Sequence, residues 1–112
     1  MKTRDIKKDL KTFCEILCLL FKESDFQIVS TIHKHRLRLL VEGECRQLNA
    51  EEVAEVLRNP DTLDETQLCV AITWVILLAN DLLESMDNEH VHFSKLTSIY
   101  SVLKDQKHMV CM

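Results

Sequence analysis

Five cysteines and five histidines are the residues of this chain best suited to bind a metal ion. Cys14 and Cys18 are four residues apart, so a helix would present both thiols on one face, one turn from each other. Structural zinc sites usually use a Cys-x-x-Cys knuckle or a helical His-x-x-x-His pair, and the sequence contains neither spacing. Because both cysteines lie on or beside an apolar stripe, their pattern favours core packing and predicts neither a metal nor a cofactor.

The cysteines also indicate a cellular setting. Their number is odd, we find no signal-peptide pattern before them, and Cys14, Cys18 and Cys69 fall within apolar helical stretches. We therefore expect reduced thiols that serve as small apolar side chains in a cytoplasmic protein. A disulfide framework is the alternative that the sequence leaves open.

A compact basic cluster at residues 33–38 could contact phosphates through Lys34, Arg36 and Arg38. No aromatic or amide side chains that could read bases accompany it, so a solvated surface is the favoured interpretation. The cluster and the basic amino-terminal helix support the alternative function, a nucleic-acid-associated transcription regulator. The favoured interpretation makes nucleic acid an unlikely partner.

Acidic residues are concentrated in the middle of the chain. The net charge is −4, yet residues 49–92 hold one arginine and ten acids, whereas residues 1–48 hold ten basic and seven acidic residues. Several acids fall in first turns of helices, where the helix dipole favours them. The functional hypothesis is that an acidic surface binds a protein partner. Its candidate residues are Glu51, Glu52, Glu55, Asp61, Asp64 and Glu65.

The chain carries no pattern typical of catalysis. It has one glycine, which leaves little scope for a phosphate-binding loop, and no nucleophile elbow or Gly-rich motif. We therefore predict no catalytic residues and no enzymatic activity. The predicted function is a small protein-interaction module, an adaptor, inhibitor or regulator. It could also form a homodimer in which the basic amino-terminal helix of one chain meets the acidic middle of the other.

Two helix-start patterns, fifteen residues apart, indicate the elements that carry these residues. Asn49 and Asp64 are each followed three residues later by Glu or Gln, the spacing of a capping box. They predict helices over about 50–58 and 65–86. Pro60 ends the first of these, because the residue before a proline avoids the helical conformation.

The second of these helices contains the most apolar stretch, twelve uncharged residues over 68–79. A bilayer span needs about twenty apolar residues, so we expect no membrane segment and a buried helix at the centre of a bundle. Trp74 in this stretch needs a hydrogen-bond partner for its indole N–H, most plausibly a carbonyl of another helix. Helices over about 5–22 and 95–106 surround it. The first and fourth helices carry apolar stripes wider than one neighbour requires, which favours a protein partner.

The predicted fold class is all-α, a compact bundle of about five helices forming a single domain over 1–106, with a frayed tail over 107–112. Residues 26–42 are ambiguous. We favour a helix that ends at Gly43, whereas alternating apolar residues also allow a β-hairpin turning at residues 33–36. The hairpin would make the fold α+β.

Overall fold

The computed structural model describes residues 6–23, 26–34, 37–41, 44–48 and 50–110 of the chain. These residues form five α-helices and one short hairpin, so the all-α class is confirmed. The helices are α1 (Ile6–Glu23), α2 (Phe26–Lys34), α3 (Ala50–Arg58), α4 (Glu65–Ser85) and α5 (Phe93–Val110). The strands are β1 (Leu37–Val41) and β2 (Glu44–Leu48), between α2 and α3.

The start of α4 forms the predicted capping box. The Asp64 carboxylate accepts a hydrogen bond from the Gln67 backbone N–H at 2.8 Å, and the Gln67 side chain accepts one from the Asp64 N–H at 3.2 Å. Two backbone donors at the helix start are thereby satisfied. Helix α3 ends at Arg58, before Pro60, as predicted, and Pro60 begins a short 3-10 turn. The corresponding cap at Asn49 lies outside the described residues.

Helix α4 is the centre of the hydrophobic core. It packs against α1, α2, α5 and β1, and its inner residues Ile72, Val75, Leu78 and Leu82 are fully buried. The Trp74 ring meets Phe13 of α1 edge to face, with ring centroids 6.4 Å apart. In the described part of the chain, however, the buried indole N–H has no hydrogen-bond partner, so the predicted bond to a neighbouring carbonyl is not formed.

One edge of α4 remains open to solvent. The molecule measures 37 × 36 × 18 Å, and a helix with its side chains is about 10 Å across, so the helices form roughly two layers. Val70 is 37% exposed and Leu77 is 55% exposed, which shows that α4 is not enclosed on every side.

The length of α4 removes one argument for the prediction that no segment enters a membrane, because the helix extends well beyond the twelve-residue apolar run. The apolar run is part of a helix of 21 residues, which by length and composition alone could cross a bilayer. The core helix of a soluble protein meets the same criteria, and three other helices pack against α4. We therefore assign α4 as the core helix of the bundle.

Residues 26–42 follow neither of the two predicted forms. Helix α2 covers Phe26–Lys34, so a hairpin turning at residues 33–36 is wrong. The favoured helix ends at Lys34, and the hairpin comes later, with Leu37 of β1 paired to Leu48 of β2 and Val41 paired to Glu44. Alternating Leu37, Leu39 and Val41 have the twofold period of a strand, which explains why the helix does not continue.

The carboxyl-terminal helix is longer than predicted. Helix α5 runs through Val110, so residues 107–110, expected in a frayed tail, are helical. Leu96, Ile99 and Leu103 of this helix are buried in the core, as their spacing predicts.

Candidate binding groove

Helices α1 and α3 lie side by side and leave a groove along their exposed edges. Below this groove, Leu17 of α1 and Leu57 of α3 are fully buried. The groove has a volume of about 460 Å³, within the usual range for a binding site. We call it the α1–α3 groove. Its lining residues are Lys11, Cys14, Glu15, Cys18, Leu19, Lys22 and Arg58.

The two cysteines of the groove have different surroundings. Cys14 is 3% exposed, and its thiol donates a hydrogen bond to the Ala54 carbonyl of α3 at 2.9 Å. Cys18, one helical turn later, is half-buried, and the Arg58 guanidinium donates to its sulfur at 3.9 Å. The spacing of four residues places both thiols on one face of α1, and α3 covers Cys14 while leaving Cys18 at the groove surface.

Helix α3 fixes the position of Arg58. Arg58 is the last residue of this helix, because Asn59 and Pro60 end it, and the buried Val53 and Leu57 hold the helix against the core. The guanidinium is exposed and reaches back across the groove to α1.

Burial is the main influence on the pKa of Cys14. Burial and the nearby Cys18 together raise this pKa from 9.0 to about 11, while Arg58 acts in the opposite direction. Cys14 is therefore a protonated thiol at neutral pH. The hydrogen bond to Cys18 raises the pKa of the Arg58 guanidinium, which stays positively charged.

The rim of the groove is basic and part of its wall is apolar. Lys11, Lys22 and Arg58 contribute three positive charges, and Glu15 contributes one negative charge. Leu19 is 44% exposed there. A second cavity of about 430 Å³ adjoins the first, shares Cys18, Lys22 and Arg58 with it, and adds Phe21 and Ala54 to its lining. The two cavities make the groove elongated.

The structure distributes the six candidate acidic residues among different roles. Asp64 caps α4, and Asp61 is 3.4 Å from the ammonium of Lys7 in α1. Glu55 and Glu65 are exposed, and Glu52 is half-buried. The side chain of Glu51 lies outside the described part. Asp61 and Asp64 thus have structural contacts within the chain.

The basic cluster of residues 33–38 is described only in part. Lys34 is exposed at the end of α2, and Arg38 belongs to β1, whereas Arg36 and the Arg38 side chain lie outside the described residues. The proposed phosphate contacts therefore remain a prediction.

One polar cluster joins residues that the sequence analysis did not connect. The Nε2 atoms of His90 and His92 lie 3.5 and 3.4 Å from the two carboxylate oxygens of Glu23. This contact ties the loop after α4 to the end of α1. Within the described ranges, no group of three His, Cys, Asp or Glu side chains could hold a metal ion.

Among the cysteines whose state the structure describes, the prediction of reduced thiols fails at Cys69. Cys14 and Cys18 are free thiols, whereas Cys69 is disulfide-bonded. The expectation that all the thiols are reduced packing residues is therefore wrong for Cys69. The predicted cytoplasmic setting stays a prediction.

Comparison of this chain with protein-family models, with curated proteins and with solved structures gave no match.

Proposed function

We propose that this protein is a non-enzymatic interaction module, an adaptor, inhibitor or regulator, that binds an acidic amphipathic segment of another protein in the α1–α3 groove. The observation that carries the proposal is the exposed Leu19 beside the basic side chains of Lys11 and Arg58. A leucine that is 44% exposed in a groove offers an apolar contact that only a ligand would cover.

The shape of the groove favours a peptide segment over a compact small molecule. Two adjoining cavities of about 460 and 430 Å³ follow α1 over about three turns, from Lys11 to Lys22. An amphipathic helix or extended segment can place successive apolar side chains along such a path. Leu19 and Phe21 would contact those side chains.

The positive charge of the groove favours a negatively charged partner. Three cations and one carboxylate line the first cavity, so acidic side chains flanking an apolar anchor would be attracted to it. Cytoplasmic location remains a prediction.

A selection from a displayed library of short helical peptides tests this proposal. We expect enrichment of peptides with acidic residues around an apolar anchor, and binding that weakens as salt is added, since exposed charge pairs are screened. Leu19→Asp should weaken binding of the enriched peptides at least about tenfold, as interface anchors do. Arg58→Gln should weaken it less.

Matched variants separate the groove from the rest of the surface. Leu77→Asp alters a similarly exposed leucine on α4, and Lys95→Gln removes one positive charge from α5. Both should bind the peptides as the unmodified chain does. Failure to enrich peptides, or equal loss in Leu19→Asp and Leu77→Asp, would contradict the proposal.

Two further experimental outcomes would show that the groove binds something other than an acidic peptide segment. Sedimentation that shows a dimer dissociated by Leu19→Asp would make a second copy the occupant of the groove. Displacement of the peptide by oligonucleotides, with a steep salt dependence, would favour the transcription regulator instead.

A further inference from the structure

We propose that Cys18 is a site of reversible thiolation by small anionic disulfides of the glutathione type. The site is the cluster formed by the Cys18 thiol, the Arg58 guanidinium and the Lys11 ammonium within the 460 Å³ cavity of the α1–α3 groove. This inference does not rest on the proposed partner, because the modification occurs on the isolated protein.

Access distinguishes Cys18 from its neighbour. Cys18 is half-buried and lines both cavities of the groove, so a small disulfide can approach its sulfur. Cys14 is 3% exposed and its thiol donates to the Ala54 carbonyl. Burial also keeps Cys14 protonated, and thiolates rather than thiols attack disulfides.

Charge determines which disulfide reacts. The Arg58 guanidinium lies 3.9 Å from the Cys18 sulfur, so a carboxylate of the incoming disulfide would meet a positive charge there. Lys11, Lys22 and Arg58, together with the one carboxylate of Glu15, line the space that the incoming molecule would occupy. Glutathione disulfide carries carboxylates that these cations attract, whereas a cationic disulfide such as cystamine is repelled.

The reaction is a thiol–disulfide exchange. The Cys18 thiol loses its proton, its sulfur attacks one sulfur of the disulfide, and a new S–S bond forms as the original S–S bond breaks. The leaving glutathione thiolate takes the electron pair of the broken bond and one proton. Cys18 becomes oxidised to a mixed disulfide, and one glutathione is reduced.

Helix geometry explains why the mixed disulfide would persist. Residues four apart on a helix have Cβ atoms about 5–6 Å apart, whereas a disulfide needs about 3.5–4.5 Å. Cys14 therefore cannot form a disulfide with Cys18 and release the adduct unless α1 unwinds. Removal would require a separate thiol reductant.

Mass spectrometry of the full chain tests the proposal with glutathione disulfide and cystamine as probes. Trypsin leaves Cys14 and Cys18 in one peptide, residues 12–22, and fragmentation or cleavage after Glu15 distinguishes them. We expect a glutathionyl adduct on Cys18, at least about tenfold more than on Cys14, that dithiothreitol removes. Glutathione disulfide should react faster than cystamine, by about threefold or more.

Charge variants complete the test. Arg58→Gln should lower the preference for the anionic disulfide about threefold, Arg58→Lys should retain most of it, and the matched Lys95→Gln should leave it unchanged. Preferential labelling of Cys14, equal rates with both disulfides, or a preference that survives Arg58→Gln would overturn the proposal. Because all three cation variants are at exposed positions, they should remain folded.

Discussion

The α1–α3 groove and the exposed edge of α4 both present leucine to solvent, yet they differ in what surrounds it. Leu19 in the groove is 44% exposed and lines a cavity together with three basic side chains, one carboxylate and two cysteines. Leu77 on α4 is 55% exposed, and Val70, two turns earlier on the same face, is 37% exposed. Neither α4 residue lines the groove cavities.

The difference shows that excess apolar surface on a helix does not by itself define a site. On α4 it follows from the thickness of the molecule, since two helical layers cannot enclose a helix that is apolar nearly all round. On α1 a second helix places Arg58 beside the exposed apolar residue and creates a concave surface. A binding site on this molecule therefore requires side chains from two helices that pack against each other.

The largest expected effect separates the core face of α4 from its open edge. Leu78→Ala should lower the free energy of unfolding by about 2–5 kcal/mol, because Leu78 is fully buried and truncation leaves a cavity. Its neighbour Leu77 is mostly exposed, so Leu77→Ala should cost less than about 1 kcal/mol. Urea unfolding of the two variants measures both changes in the free energy of unfolding. Similar decreases in the two variants would show that the open edge of α4 is covered.

The second largest expected effect is a dependence of stability on pH that comes from the Cys14 thiol. The pKa of Cys14 is about 11 in the folded chain and 9.0 for an ordinary thiol, so the folded state retains a proton that the unfolded state loses. This contribution to stability is complete below pH 9 and lost as the pH rises towards 11, up to about 2 kcal/mol. Unfolding curves across this range should show the full fall in the unmodified chain, a smaller fall in Cys18→Ala, and no fall from this thiol in Cys14→Ala. The same fall in both variants would refute the assignment.

The smallest effect tests which acids have structural roles. Asp64→Ala should lower the free energy of unfolding by about 1 kcal/mol, because the capping box at the start of α4 is lost. Asp61→Ala removes only an exposed ion pair with Lys7 and should cost less than about 0.5 kcal/mol. Thermal unfolding compares the stability of the two variants. A larger loss of stability in Asp61→Ala than in Asp64→Ala would exclude the capping role of Asp64.

Local signals in the sequence predict where two of the helices begin or end. Pro60 marks the end of α3, and the Asp64 pattern marks the start of α4, since both act on adjacent backbone. The position of the hairpin does not follow from the sequence, because residues 26–42 combine helical and alternating apolar patterns. No Asn-Gly or Asp-Gly turn decides between the two patterns.

The groove could not be predicted in the same way. Its central contact joins Cys18 and Arg58, which are forty residues apart, and depends on the packing of α1 against α3. The contact of Glu23 with His90 joins residues still more distant in sequence. Sequence spacing reports which face of one helix a residue occupies, and the partner across an interface follows only from the fold.

Chemical-shift mapping with an acidic amphipathic peptide from the display selection tests the central claim most directly. We predict that amide signals of Lys11, Leu19 and Arg58 move on titration, while those of Val70 and Leu77 stay in place. Movement confined to the open edge of α4, with the groove signals unchanged, would contradict the account.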